Sequence, residues 1–415
     1  MRPTGPTTSP RDRGELIDDL HVDGRNAGAR LAERVAELER ALPPSMPPAP
    51  PRTSTAGSRS PWVAGLAIVA ALAGGALLGH SVTAGGTQST STASSHDHAA
   101  SAASVLANPN YHPARRGKVE IYKRPDPTLP AVPAGAVKTF RVDVNSRLTR
   151  VAPDGKSFDV WSFGVNGKFL SGTGASPPMV VNQGDTVEVQ FHNGFNHAMH
   201  VQLPHSLDFH AAVGDPTTDF PTIAPGATHT IRFKADHPGV FMYHCVSAPA
   251  LLHVGSGMAG MFVVKPKSMP KVDKEIWITQ QEFYAPDSGA APDYDKMLAN
   301  KPTTMAFNGY ANQYADHPIA IKKGDKVRIY FLNAGAQRWS AFHVVGGLFD
   351  KTYEEGVVGH DAQTVSFGPS QGGYMDMSIP KEGSYVMVSH AFGDVGLGAV
   401  GALRTEHAKG PVMEH

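Results

Sequence analysis

The residues that could do chemistry are concentrated between His205 and Met258. The stretch opens PHSLDFH, with His205 and His210, passes through Tyr243-His244-Cys245, and closes LLHVGSGM, with His253 and Met258. Cys245 is the only cysteine of the chain, so it has no partner for an internal disulfide. Its thiol is free, reactive or metal-bound. One thiolate, two imidazoles and a weak thioether are the ligand types of a blue-copper electron-transfer site. We assign them to Cys245, His205, His253 and Met258.

Two histidines, His210 and His244, are left over. Successive side chains on a strand point to opposite faces. If 241–245 is a strand, His244 faces away from Cys245. His205 and His210 are an odd number of residues apart, so on extended backbone they diverge as well. One pair then converges on a first copper and the other on a second metal, one covalent step away through the Cys245–His244 peptide.

A three-imidazole site with an open position accepts a water or an anion. Imidazole suits copper and zinc alike. The adjacent thiolate centre argues for copper, because only a redox metal uses the electron it supplies. Asp208, between the two histidines of PHSLDFH, and His343 are the candidate acids for proton-coupled reduction.

These residues need a rigid frame. From about Lys118 the chain alternates apolar and polar residues in short runs such as KTFRVDV, FDVWSFGV and MVVNQGDTVEVQF, punctuated by Gly-Asp, Pro-Gly and Asn-Gly. This is β-sandwich texture, and no helical pattern interrupts it. An internal repeat is visible: GDTVEVQF at 184–191 returns as GDKVRIYF at 324–331, PGVFMYHC returns as EGSYVMVSH, and MHVQLPH matches SAFHVVGG. Two sandwich domains are expected, 115–266 and 272–405, joined by KPKSMPKVDKE and followed by a tail at 406–415. In the second copy Ala391 stands where the cysteine should be. That copy cannot build a thiolate site, yet it keeps His343 and His390. A domain that has lost the ligand set but kept a strand-end histidine suggests a donated ligand, the third imidazole for His210 and His244.

Lys and Arg total 37 and Asp and Glu 37, so there is no electrostatic case for nucleic acid. Residues 1–60 read as mostly disordered, with one short stripe at Leu31, Val35, Leu38 and Leu42. From Pro61 to Leu78 no residue is charged, a length that can just span a bilayer. Arg52 and Arg59 precede this run and no Lys or Arg follows until Arg115. The expectation is a transmembrane anchor at 61–80, a cytoplasmic N-terminus, and the rest outside. Residues 81–114 are a Ser/Ala/Gly-rich tether, in which His96 and His98 are read as solvated.

PHSLDFHAA, PGVFMYHCVSAPALLHVGSGMAGMFVV, AFHVVGGLFDKTYEEG and the VSHAF…GLGAVG ending resemble the copper-containing nitrite reductases, over about residues 118–405. The resemblance implies an all-β fold of two tandem cupredoxin-like Greek-key domains and a homotrimer. It also implies two coppers per chain. His205, Cys245, His253 and Met258 correspond to the type 1 ligands, and His210, His244 and His390 to the type 2 ligands, with the third histidine coming from a neighbouring chain. Asp208 and His343 match the pair that delivers protons to nitrite, and Val345 the aliphatic residue that crowds the anion. The electron donor would be an external cupredoxin or cytochrome c. Met261 is a rival to Met258, and His197 or His200 to the first ligand histidine. The loop VGDPTTDFPTIAPG replaces a Gly-rich version and is expected at the active-site rim. The other readings are a small laccase-like multicopper oxidase and a non-catalytic electron carrier. Against the former, Cys245 is followed by Val246 and the His-x-His at 96–98 lies in the tether.

Overall fold

The computed structural model describes residue 102 and residues 104–108, 118–194 and 203–412. The segment 1–60, the apolar span 61–80, most of the tether, His197, His200 and the end of the tail lie outside these residues. Among the described residues, no helix is long and apolar enough to cross a membrane.

The first set of strands is β1 (Val137–Thr149), β2 (Phe158–Val165), β3 (Met179–Asn182), β4 (Thr186–His192), β5 (Asp208–Phe209), β6 (Thr228–Lys234), β7 (Gly239–His244) and β8 (Ala259–Lys265). They form two sheets, ordered β2-β1-β4-β6 and β3-β8-β7-β5. The start of β1, VKTFRV, alternates exposed and buried residues, as a strand does with one face on a core and the other in water. β2, FDVWSFGV, is buried along its whole length. One of its faces joins the core between the sheets, where Phe140, Phe163, Phe191, Tyr243 and Phe262 meet. The other, with Phe158 and Val160, packs on Phe283 and Ala306.

The second set is β9 (Lys274–Phe283), β10 (Thr304–Phe307), β11 (His317–Ile321), β12 (Lys326–Asn333), β13 (Ser340–Val344), β14 (Phe349–Glu354), β15 (Val357–Ala362), β16 (Thr364–Phe367), β17 (Gly372–Ser378), β18 (Ser384–Ser389) and β19 (Val400–Thr405). Its sheets run β10-β9-β12-β17-β14-β15 and β11-β19-β18-β13-β16, closing over Ile276, Phe307, Phe331, Phe342 and Met387. Both sandwiches contain two parallel pairings: β1 with β4 and β3 with β8 in the first, β9 with β12 and β11 with β19 in the second.

A third apolar layer joins the sandwiches. Val240, Met242, Met261 and Val263 from β7 and β8 meet Trp277, Tyr330, Leu332 and Tyr374 from β9, β12 and β17. Beside it the buried Arg328 makes a bidentate pair with Asp376, at 2.5 and 2.7 Å. Lys265 reaches Glu275 of the second sandwich at 2.7 Å.

β7 therefore has a core on each side. Phe241 and Tyr243 face the interior of the first sandwich, whereas Val240 and Met242 face the layer between the two. From Lys118 on, the described residues also form five short helices: α1 (Pro216–Asp219), α2 (Ala250–Gly255), α3 (Tyr294–Leu298), α4 (Gln313–Asp316) and α5 (Phe392–Gly396). α2 corrects the helix-free expectation for the ligand stretch. ALLHVG is too short to carry a periodic signal, and its ends make the turn. Leu252 N–H donates to the Pro249 carbonyl at 2.9 Å, and Ser256 donates to the Leu252 carbonyl through both N–H (3.0 Å) and Oγ (2.6 Å).

Candidate metal centre

Two clusters of potential ligands form among the described residues, on opposite sides of β7. Cys245 follows β7 and continues its pairing with β8, its N–H donating to the Met258 carbonyl at 3.2 Å. Alternation points its side chain inward, next to Tyr243, where it is fully buried. His205 lies outside the named strands, in an isolated bridge where its backbone exchanges hydrogen bonds with Ile223 at 3.1 and 2.8 Å. α2 folds back over the pair and brings His253. The Cys245 Sγ lies 3.3 Å from His253 Nδ1 and 3.9 Å from His205 Nδ1, and the two Nδ1 atoms are 3.2 Å apart.

That triangle can be tested against a metal. With three donors at 120° and bonds of about 2.0 Å to nitrogen and about 2.3 Å to sulfur, the edges would be about 3.5 and about 3.7 Å. The donor set fits a trigonal His2Cys site with shifts of a few tenths of an ångström. Met258 is fully buried in the same core as Cys245, whereas Met261 lies in the layer between the sandwiches. An odd separation along the chain puts the two methionines on opposite faces, with Met258 on the face of Cys245.

The surroundings hold this cluster in place. The Trp161 ring sits edge-on to His253 and His205, with centroids 5.2 and 6.0 Å away, and its indole N–H donates to the buried Asp159 at 2.9 Å. Gly257 closes the turn after α2 at φ +113°, and a Cβ there would lie 2.6 Å from the Trp161 carbonyl. Burial depresses the basicity of His205. For Cys245, burial alone would push the thiol up, but His253 and His205 together hold it well below the ordinary thiol range. A depressed thiol is one that ligates.

The second cluster lies on the outer face of the same strand. Asp208 pairs in register with His244, and the His210 N–H donates to the Met242 carbonyl at 3.0 Å, so Asp208, His210 and His244 share a face. His210 Nε2 and His244 Nε2 are 2.9 Å apart, and Asp208 Oδ2 is 3.6 Å from His244 Nε2. A metal between the imidazoles would open the first distance to about 3.3 Å. His244 Nδ1 lies 3.1 Å from the Cys245 carbonyl, which can only accept. The ring proton is therefore on Nδ1, and the Nε2 lone pair is free for a metal. Burial and the neighbouring His244 both lower the basicity of His210. The imidazoles open on a cavity of about 280 Å³, walled by Met242 and α2 on one side and by Gly335, Ala336 and Pro369 on the other.

His390 is in neither cluster. It follows β18 beside His343 of β13, with ring centroids 5.1 Å apart, and its ring is exposed. His343 Nδ1 donates to the Gln363 carbonyl. Val345 is half-buried one residue past β13, and Phe392, 60% exposed, sits edge-on to His390 with centroids 5.0 Å apart. His205, Cys245 and His253 thus gather within one chain, whereas His343 and His390 lie together outside both clusters. Sequence reasoning did not find Trp161, Asp159 or Ser206. In the loop VGDPTTDFPTIAPG, Thr222 meets Ser247 and Ile223 exchanges backbone hydrogen bonds with the cluster residue His205.

Comparison with known proteins agrees with this geometry. The multicopper oxidase family model matches residues 146–268. The copper-containing nitrite reductase of Neisseria meningitidis serogroup B is 35% identical over 300 residues, covering 68% of this chain and 74% of that protein. The solved copper nitrite reductase from Nitrosomonas europaea is 31% identical with a TM-score of 0.59, covering 65% of this chain and 94% of that one. The copper-containing nitrite reductase from Thermus scotoductus SA-01 is 32% identical with a TM-score of 0.55, covering 67% and 63%. The sheets are typical of two cupredoxin-like domains.

Proposed function

The chain belongs to the copper-containing nitrite reductase family, and from that premise we propose that it reduces nitrite to nitric oxide. Nitrite takes up one electron and two protons and leaves as nitric oxide and water. Bound copper would supply one-electron redox chemistry at the Cys245 cluster, and anion binding with reduction at the His210–His244 cluster. His205, Cys245, His253 and Met258 would hold the first metal in a buried pocket, where an external cupredoxin or cytochrome c would deliver the electron, and the Cys245–His244 backbone is the covalent link from there across β7. The observation that supports this reading best is the split on one strand: a buried sulfur on one face, an imidazole with its Nε2 lone pair free on the next residue, and a hydrogen bond from that ring to the Cys245 carbonyl.

Asp208, its Oδ2 3.6 Å from His244 Nε2, would hand a proton to an oxygen of the bound anion. The third imidazole is His390 of a second copy in a homotrimer, and it brings His343 as the second acid and Val345 as the side chain that crowds the anion. The exposure of His390 with Phe392 against it supports docking of that surface onto another copy. Residues 61–80 anchor the protein in the cell membrane, with the sandwiches on the extracytoplasmic side.

The test is nitric oxide release from nitrite by copper-loaded protein with an artificial one-electron reductant, alongside electron paramagnetic resonance. Two cupric signals, one of them shifted by nitrite, are expected. No nitric oxide, but oxygen consumption with a phenolic donor, would move the chain to the laccase-like class.

A further inference from the structure

Ser206 follows the ligand histidine His205 and is fully buried against Cys245. Its backbone N–H donates to the Cys245 Sγ at 3.4 Å, and its Oγ lies 3.7 Å from the same sulfur. The direction of that second contact follows by elimination. Ser206 Oγ accepts the Val246 N–H at 2.9 Å and the Ser247 hydroxyl at 3.3 Å. A hydroxyl accepts two hydrogen bonds and donates one. Both lone pairs are engaged, so the Ser206 proton is left for the sulfur, which as a thiolate can only accept. The Ser247 proton is spent on Ser206, so the Thr222 hydroxyl, 2.9 Å from Ser247 Oγ, must donate to it. Thr222 is exposed, whereas Ser247 and Ser206 are buried.

We infer that Ser206 is a positioning residue for electron transfer: its hydroxyl is the last donor of a one-way chain, Thr222 to Ser247 to Ser206 to Cys245 Sγ, that raises the reduction potential of the copper held there. This rests on Cys245 being a copper ligand. Hydrogen bonds to a ligating sulfur favour the state in which the sulfur carries more negative charge, which is the reduced one. Each hydroxyl that points the same way polarises the next. The chain begins in the loop VGDPTTDFPTIAPG, so a surface loop that departs from the family pattern sets the driving force of a buried centre.

The experiment is a redox titration of the full-length copper-loaded protein, read by the thiolate-to-copper absorption band, for wild type, Ser206→Ala, Ser206→Thr, Ser247→Ala and Thr222→Val. Ser206→Ala is expected to lower the equilibrium constant for reduction about tenfold, which is about 59 mV for one electron, and to move the band to longer wavelength. Ser206→Thr should restore both, and Ser247→Ala and Thr222→Val should give smaller shifts in the same direction. An unchanged potential in Ser206→Ala overturns the inference. If that variant does not load copper, unchanged potentials in both Ser247→Ala and Thr222→Val overturn it. Absence of the band from wild type sinks the copper-ligand reading itself, a separate and recognisable failure.

Discussion

The two faces of β7 make opposite demands, and the chain meets them with opposite means. Inward, Cys245, His205 and His253 are 0–2% exposed, buttressed by Trp161, and complete within one chain. Outward, His210 and His244 open on a cavity, have a carboxylate at their edge, and are joined by no third imidazole among the described residues. An electron relay gains from a closed, rigid ligand set that moves little between oxidation states. A catalytic centre must admit an anion and two protons. Where those demands differ, burial differs, although the two sites are one residue apart.

The comparison breaks most visibly at the sulfur. Cys245→Ser should abolish the charge-transfer band and cut turnover by more than the ~10–100-fold typical of an outer-shell change, while the nitrite-sensitive cupric signal survives. Loss of both signals together would mean that the two faces do not bind separate metals. The next test addresses the missing imidazole. His210→Ala and His390→Ala should each be inactive alone, but chains co-expressed and mixed at random should recover about a quarter of wild-type activity, because one site in four pairs two intact histidines. No recovery would place both ligands in one chain.

Asp208→Asn should lower kcat about 10²–10⁴-fold, leaving the potential of the first centre unchanged. An equal fall in a variant that still delivers protons at low pH would deny Asp208 its role. The smallest effect is a pH dependence. His210 binds its proton less readily when folded than when unfolded, so the copper-free protein should lose stability as pH falls below about 6.5. Between pH 7.5 and 5.5 the melting temperature of wild type should drop more than that of His210→Ala, by no more than about 2 °C.

Much of this was legible in the sequence because period two is a strong constraint. Once 241–245 is a strand, the divergence of His244 and Cys245 follows, and the same parity separates Met258 from Met261. The strand runs themselves announced the sandwiches. α2 was not legible: six residues carry no helical period, and what turns them is a pair of hydrogen bonds from Ser256. Trp161 and Asp159 lie far upstream on a strand whose second face is buried by the second sandwich, which no local pattern reveals. The role of Ser206 depends on which way hydroxyl protons point, and that needs the positions of Val246, Ser247 and Thr222 in space.

The turn at Gly257 sets a limit on redesign. With a Cβ pressed to 2.6 Å from the Trp161 carbonyl, no other residue fits there without moving β2. A transplanted ligand loop from another copper protein can vary in length between Val246 and Pro249, but it must re-enter β8 through a glycine. Grafts that respect this should keep their metal; grafts that do not will shift the tryptophan under both imidazoles before they alter the loop itself.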